Sequence, residues 1–307
     1  MRALVVDHSE AGPVRFADVD EPFPSAGEAL VEIRHIALNF GELNYVDQWP
    51  AGAVHGHDAA GVVVRAASDG SGPPAGTRVA VGMAPHAWAQ RMAVSPASLA
   101  TVPEGVELAD AAAPGIAGVT ALRVLRTRSL LARSVLITGA SGGVGRFAVQ
   151  LAALAGARVT ALVGSPERAA GLRELGAGQV LTDLSGSAGA GAGEQFDLVL
   201  DTVGGPLAAR AWSLLAQGGT LHLVGYSSGQ ETLFPPGALF GFGAPRSIAT
   251  YGDMTPTGGE LADLLGLMAA GRLSAPVGLR GRWQDVDEAV RVLLARKVHG
   301  KVVLDVT

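Results

Sequence analysis

Hydrophobic and polar positions fall into two textures along this chain. Over residues 1–110 the apolar positions come in short runs, at 3–6, 29–36, 61–66, 78–81 and 88–94, separated by clusters of Gly, Pro and Ser. Such runs between turn residues read as β-strands. Their density predicts a compact β-domain of barrel or sandwich type. Beyond residue 105 the spacing changes. Residues 107–113 and 118–125 are helical in pattern, and strand-like runs at 135–138, 158–163, 179–181, 198–201 and 220–225 alternate with helical segments near 146–155, 166–175 and 206–216. That alternation predicts right-handed βαβ crossovers and a doubly wound parallel sheet. Residues 234–251 form an apolar stretch expected to give a strand and a pocket wall; 260–270 and 285–295 read as helices, and 301–306 as a closing strand. The expected class is α/β, with a discontinuous β-rich domain from 1–110 and 252–307 and a parallel-sheet domain from 111–251. The Ser/Gly/Ala tract at 185–193 reads as a low-complexity surface loop.

Composition narrows the function classes. The 307 residues are 48% hydrophobic and 17% charged, enough apolar material for about two well-packed domains. The net charge of −5, without a basic run, argues against nucleic acid as a partner. No apolar stretch reaches the ~18–20 residues of a membrane span, and Met1–Asp7 reads as a strand rather than a signal peptide. The chain has no cysteine. Disulfides, thiol nucleophiles and cysteine-ligated zinc are thereby excluded, and a cytoplasmic location is expected.

The strongest chemical signal lies at 135–151. Val135–Thr138 reads as a buried strand, Gly139–Gly145 as a glycine turn, and the following segment as a helix. A glycine turn between strand and helix aims backbone N–H groups at an anion, with the helix dipole favouring negative charge. Ala140, Ser141, Gly142, Gly143, Val144 and Gly145 are therefore candidate pyrophosphate contacts. A triphosphate P-loop is excluded, because Gly145 is followed by Arg146 and Phe147 instead of Lys and Ser or Thr.

Further motifs stand in a fixed order: His35–Leu43, Gly56-His57-Asp58-Ala59-Ala60-Gly61-Val62, Gly76–Val79, Ala117–Ala121, the glycine turn, Glu174–Ala177, Phe196–Asp201 and Gly300–Leu304. Together they resemble the zinc-free, quinone oxidoreductase-like medium-chain dehydrogenase/reductases, a branch that includes the enoyl reductase modules of polyketide synthases. The resemblance implies a GroES-like catalytic domain and a Rossmann cofactor domain, with the active site in the cleft between them. It also implies homodimers formed through the edge of the Rossmann sheet.

On Rossmann logic, an acidic residue closing the second strand would hold the ribose 2′-hydroxyl of NAD. Val163 and Gly164 stand there instead, followed by Ser165 and, further on, Arg168, which suit a 2′-phosphate; NADPH is the expected cofactor. Val203, Gly225 and Tyr226 complete the expected cofactor contacts. His55, His57, Asp58 and His86 invite a zinc reading, but the family's cysteine positions fall near Asn39–Gly41 and Pro114–Gly115, so no metal is expected. Asn39 is the expected donor to a developing oxyanion, Tyr45 a possible proton donor, and Thr120 a residue beside the nicotinamide. Trp49, His86, Trp88, Tyr226 and Phe240 are candidate pocket walls. The resemblance implies NADPH-dependent reduction of an apolar enone, enoyl group or quinone, in secondary metabolism. Departures at Gly41-Glu42 and His86 keep open a non-redox cyclase, isomerase or nucleotide sensor.

Overall fold

A computed structural model describes residues 1–9, 12–185, 195–241 and 243–306. The low-complexity tract lies, beyond Ser185, outside the described residues. The chain divides into two compact units, Met1–Val119 with Met254–Thr307, and Thr120–Asp253. In chain order the strands are β1 (Arg2–Val6), β2 (Val14–Asp18), β3 (Ala29–Leu38), β4 (Asp58–Arg65), β5 (Arg78–Val81), β6 (Arg91–Val94) and β7 (Leu99–Thr101). They continue as β8 (Ser134–Thr138), β9 (Arg158–Leu162), β10 (Gln179–Leu181), β11 (Phe196–Asp201), β12 (Leu215–Leu223), β13 (Ser247–Thr250), β14 (Val277–Arg282) and β15 (Lys301–Asp305). The helices are α1 (Phe40–Asn44), α2 (Leu108–Ala111), α3 (Gly115–Leu125), α4 (Gly143–Leu154), α5 (Gly205–Ser213), α6 (Gly258–Ala269) and α7 (Val286–Leu294). No helix among the described residues is long and apolar enough to cross a membrane.

In the discontinuous unit a seven-stranded sheet runs β14-β15-β3-β4-β5-β7, with β6 also paired to β3, beside a β1–β2 ribbon. All pairings in the large sheet are antiparallel except β14–β15. Strand β3 explains the arrangement. Ala29, Val31 and Ile33 alternate inward. A register shift between Ile33 and His35 then lets Ile36, Ala37 and Leu38 all be buried. Behind the sheet, Trp283 is fully buried and meets Phe16 edge-on at 5.1 Å. The strand expected over 88–94 shortens to β6, and Ala89 makes only an isolated bridge to Ala3. Trp88, expected as a pocket wall, is instead completely buried in the core. Its indole N–H donates to Ala37 O at 3.3 Å, and its ring covers Gly56, where a Cβ would come within 2.1 Å of it.

The contiguous unit holds a wholly parallel sheet in the order β10-β9-β8-β11-β12-β13. Numbered within the unit this is the 3-2-1-4-5-6 order of a dinucleotide-binding sheet. All five residues of β8 are buried, as expected of a strand covered on both faces. Helix α4 turns Phe147, Ala148, Val149, Leu151 and Ala152 inward. The helix expected near 166–175 is only a 3₁₀ turn, Pro166–Ala169. Gly171 sits at φ +77°, in the left-handed region, and breaks the helical path. The 234–251 stretch yields one strand, β13, and leaves Phe240 80% exposed.

Gly300, just before β15, has φ +103°, and a Cβ there would stand 1.9 Å from Pro276 O. Gly300→Ala is therefore both strained and overpacked. A loss of about 2–5 kcal/mol is expected, measured as a lower urea midpoint.

Candidate functional site

The switch point of the parallel sheet lies between β8 and β11, the position at which such sheets bind ligands beyond their carboxyl ends. Both strand ends are fastened there. The Thr138 hydroxyl donates to the buried Asp201 carboxylate, while Thr202 N–H donates to Thr138 Oγ1 at 3.1 Å and Thr202 Oγ1 to Thr138 O at 3.0 Å. Asp201 also accepts from Gly204 N–H at 2.8 Å. Burial pushes the Asp201 carboxyl up, against the pull of these donors.

From this edge the chain enters the glycine turn. Gly139 has φ +59°, and a Cβ there would meet Thr202 Oγ1 at 2.2 Å. A Cβ on Gly145 would meet Gly139 O at 2.5 Å. The turn is thus a cradle that side chains would fill, which fits close approach of a pyrophosphate to backbone N–H groups. Ala140 N–H is held by Leu162 O at 3.0 Å, and Gly142 N–H by Gly139 O at 2.9 Å. Gly143, Val144 and Gly145 form the first turn of α4.

The other sequence-predicted cofactor residues follow the ends of neighbouring strands. Ser165 and Arg168 follow β9, Val203 follows β11, and Gly225 and Tyr226 follow β12. Val203 O accepts from Ser228 N–H at 2.8 Å, Gly225 N–H donates to Asp201 O at 3.2 Å, and Tyr226 is 47% exposed. Arg168 Nε donates to the hydroxyl of buried Ser141 at 2.9 Å. The Ser165 hydroxyl is turned onto Glu167, holding that carboxyl below its usual range. No side chain would be crowded at Gly164. In the same unit Thr120 is buried. Near it the Tyr251 phenol is buried without a hydrogen bond among the described residues. Burial pushes that phenol's pKa up, with Thr120 and Arg123 close enough to draw it partly back. Tyr251 follows β13, and nothing in the sequence pattern marked it.

In the discontinuous unit, a second polar cluster forms where β3, α1, β4, α3 and β15 come together. Asp58 is fully buried. Its carboxylate accepts from Ile116 N–H at 2.8 and 2.9 Å and from Asn39 Nδ2 at 2.8 Å, and Lys301 Nζ lies 3.5 Å away. Gly115 makes the approach of α3 possible, because a Cβ there would come within 2.2 Å of the carboxylate. Burial pushes the Asp58 carboxyl up and the Lys301 ammonium down, and each charge partly restores the other.

Asn39 caps α1, where its backbone N–H donates to Glu42 Oε2 at 3.0 Å. Its two amide hydrogens go to Glu42 Oε2 and Asp58 Oδ2, and its carbonyl accepts from Lys301. The side chain expected to donate to an oxyanion has both donors committed within the protein. Tyr45 closes α1 and is half-buried.

Glu42 Oε1 meets His57 Nδ1 at 2.7 Å, and Glu42 O meets His55 Nε2 at 3.0 Å. Burial disfavours charge on His57, but the hydrogen bond and charge of Glu42, with the charge of Asp58, leave its pKa raised. Burial lowers that of His55. His57 Nε2 has no hydrogen bond among the described residues. The exposed His86 holds Val54 O through Nδ1 at 2.9 Å. The Asn39–Glu42–His57 connection was not expected from the sequence, although the Asn-x-x-Glu capping spacing is visible in it.

Removing one partner of a buried ion pair strands the other charge. Lys301→Met is expected to cost about 3–5 kcal/mol, and Lys301→Met with Asp58→Asn to recover most of it, in urea unfolding. His57 also carries a pH signature. Its raised folded pKa adds stability that is fully present below the ordinary value of 6.5 and lost as pH rises through the folded value. His57→Gln should therefore destabilise more at about pH 5.5 than at about pH 9.

Residues 25–124 match the family described as alcohol dehydrogenase GroES-like domain, and residues 143–269 the family described as zinc-binding dehydrogenase. Among curated relatives, the chain is 35% identical over 271 residues to erythronolide synthase EryA2 of Saccharopolyspora erythraea, covering 83% of this chain and 7% of the synthase. It is 28% identical to a quinone oxidoreductase of Pseudomonas aeruginosa, with 95% of each chain covered, and 26% identical to an acryloyl-coenzyme A reductase of Metallosphaera sedula, with 99% of each covered. A mycobacterial protein solved in complex with NADPH superposes with a TM-score of 0.84 at 26% identity, over 100% of both chains. The chain spans only a small part of the synthase, but nearly all of the two smaller enzymes. The ordered pair of domain matches, the 3-2-1-4-5-6 parallel sheet and these relatives agree: the chain belongs to the medium-chain dehydrogenase/reductase family.

Proposed function

We propose that this chain is an NADPH-dependent, zinc-independent reductase of an activated carbon–carbon double bond or a quinone. The observation that carries the reading is the glycine cradle at the switch point, with Ser141 and Arg168 beside it and no acid at Val163-Gly164. Ala140–Gly145, Ser165, Arg168, Val203, Gly225 and Tyr226 would hold the dinucleotide, which supplies hydride to the electrophilic carbon when bound. Relatives that reduce acryloyl-coenzyme A or quinones, and one that binds NADPH, support the same reading.

Zinc does not fit the donor set. Where the family's metal would sit, Asp58 and Asn39 are saturated by one another, Ile116 N–H, Glu42 and Lys301. The buried Lys301 ammonium already supplies the positive charge of a cation. His57 is different: Glu42 fixes its ring through Nδ1 and favours the protonated imidazolium, in which Nε2 is a donor suited to a carbonyl oxygen gaining charge or to proton delivery at the α-carbon. The discontinuous unit is thus the catalytic domain in this reading, and Thr120 the residue beside the nicotinamide. The same His57–Glu42 pair would also serve a non-redox isomerase, which is the second reading. A homodimer through β13 and a cytoplasmic location belong to the proposal; β13 is the sheet's last strand, with Ile248 exposed.

The test is NADPH oxidation with a panel holding an α,β-unsaturated thioester, a cyclic enone and a benzoquinone. Turnover that resists chelators is expected, with NADPH preferred over NADH. Equal use of the two cofactors would remove the phosphate assignment. Proton exchange into an enone without NADPH oxidation would instead establish the isomerase.

A further inference from the structure

We propose that Arg146 joins Arg168 in binding the adenosine 2′-phosphate of NADPH, so that two guanidiniums set the preference over NADH. The inference rests on the NADPH reading and deepens it, because the sequence motif pointed only to Ser165 and Arg168.

Arg146 is the fourth residue of α4, and its side chain folds back over the glycine turn. Its Nε donates to Ser141 O at 3.3 Å and its Nη2 to Ala170 O at 2.7 Å. Arg168 Nε holds the hydroxyl of the same Ser141. One buried serine is therefore grasped by two cations, one from the first turn of α4 and the other from the 3₁₀ turn after β9. Ser165 lies in that second turn.

The electrostatics are incomplete as they stand. Both protein contacts of Arg146 are neutral carbonyl oxygens, and among the described residues no carboxylate pairs with it. Burial, and then the charge of Arg168, push its pKa down. Two like charges sharing a half-buried pocket repel, and an anion between them would turn that repulsion into attraction. The nearest acid in the sequence, Glu167, is fully exposed and bonded to Ser165.

The geometry also leaves donors available. Nη1 of Arg146 donates to nothing among the described residues. It lies over Gly171, where a Cβ would stand 3.3 Å from it. A guanidinium with free N–H groups matches a tetrahedral phosphate through paired charge-assisted hydrogen bonds. A ribose hydroxyl, being neutral, gains far less from the same cations. The missing side chain at Gly164 leaves room at the end of β9, where an acid would select NADH.

Calorimetric titration of the purified chain with NADPH and with NADH tests the proposal without any substrate. R146Q is expected to weaken NADPH binding about tenfold or more while leaving NADH within about twofold. R146K, which keeps the charge but loses the fork, should fall between. NADH binding reports whether the turn still folds. An equal loss for both dinucleotides would make Arg146 a brace for the Ser141 turn and overturn the proposal, as would unchanged NADPH affinity. Wild-type protein that binds neither dinucleotide would overturn the cofactor reading itself. Wild type preferring NADPH, with the preference lost in R168Q and kept in R146Q, would overturn the Arg146 assignment alone.

Discussion

A carboxylate with no access to water must find its full complement of donors inside the protein. Asp58 does so from three directions. Ile116 N–H comes from the start of α3, the Asn39 amide from the end of β3 and the Lys301 ammonium from β15, all meeting at the first residue of β4. Each donor is usable only because its own surroundings permit it. Gly115 lets the helix approach, and Gly56 makes room for Trp88 behind the strand. The cluster extends through Asn39 to Glu42, and through Glu42 to His57, so that one buried charge orders a chain of side chains ending in a single imidazole. Leaving such a charge unpaired would cost more than any one hydrophobic contact returns.

The two units handle polar groups in opposite ways. Around Asp58 the charges are balanced and nearly every donor has an acceptor. At the carboxyl end of the parallel sheet the acids are spent on backbone, as Asp201 is on Gly204, while guanidiniums gather round Ser141. The first arrangement is rigid and closed. The second brings two guanidiniums to one serine beside a glycine turn at a helix N-terminus, an arrangement that favours an anion.

Much of this was legible in the sequence, for a physical reason in each case. The β8–turn–α4 unit could be read because a change in hydrophobic period and three close glycines have few other uses. The parallel sheet followed from alternation and handedness. The helix expected near 166–175 was misread because its apolar spacing says nothing of the left-handed conformation at Gly171. Trp88 was misjudged for a similar reason: an aromatic beside a loop looks like a pocket wall until a glycine 32 positions earlier is seen beneath its ring. Asn39 was singled out, but its local context could not show that residues as far along the chain as Lys301 consume its acceptor. Arg146 was noticed only as the residue that rules out a P-loop, because a cation's meaning depends on neighbours brought in by the next strand.

Strand β15 lies between β14 and β3, inside its sheet rather than at an edge. The partner it offers Asp58, Lys301, is therefore synthesised after the whole of the parallel-sheet unit, which is contiguous and complete by Asp253. During synthesis the nucleotide-binding half can finish folding while β3 still has an open side and Asp58 still lacks its ammonium. The discontinuous unit stays incomplete until β15 pairs with β3, so that its closing step is a late, long-range event that carries a loop-closure cost.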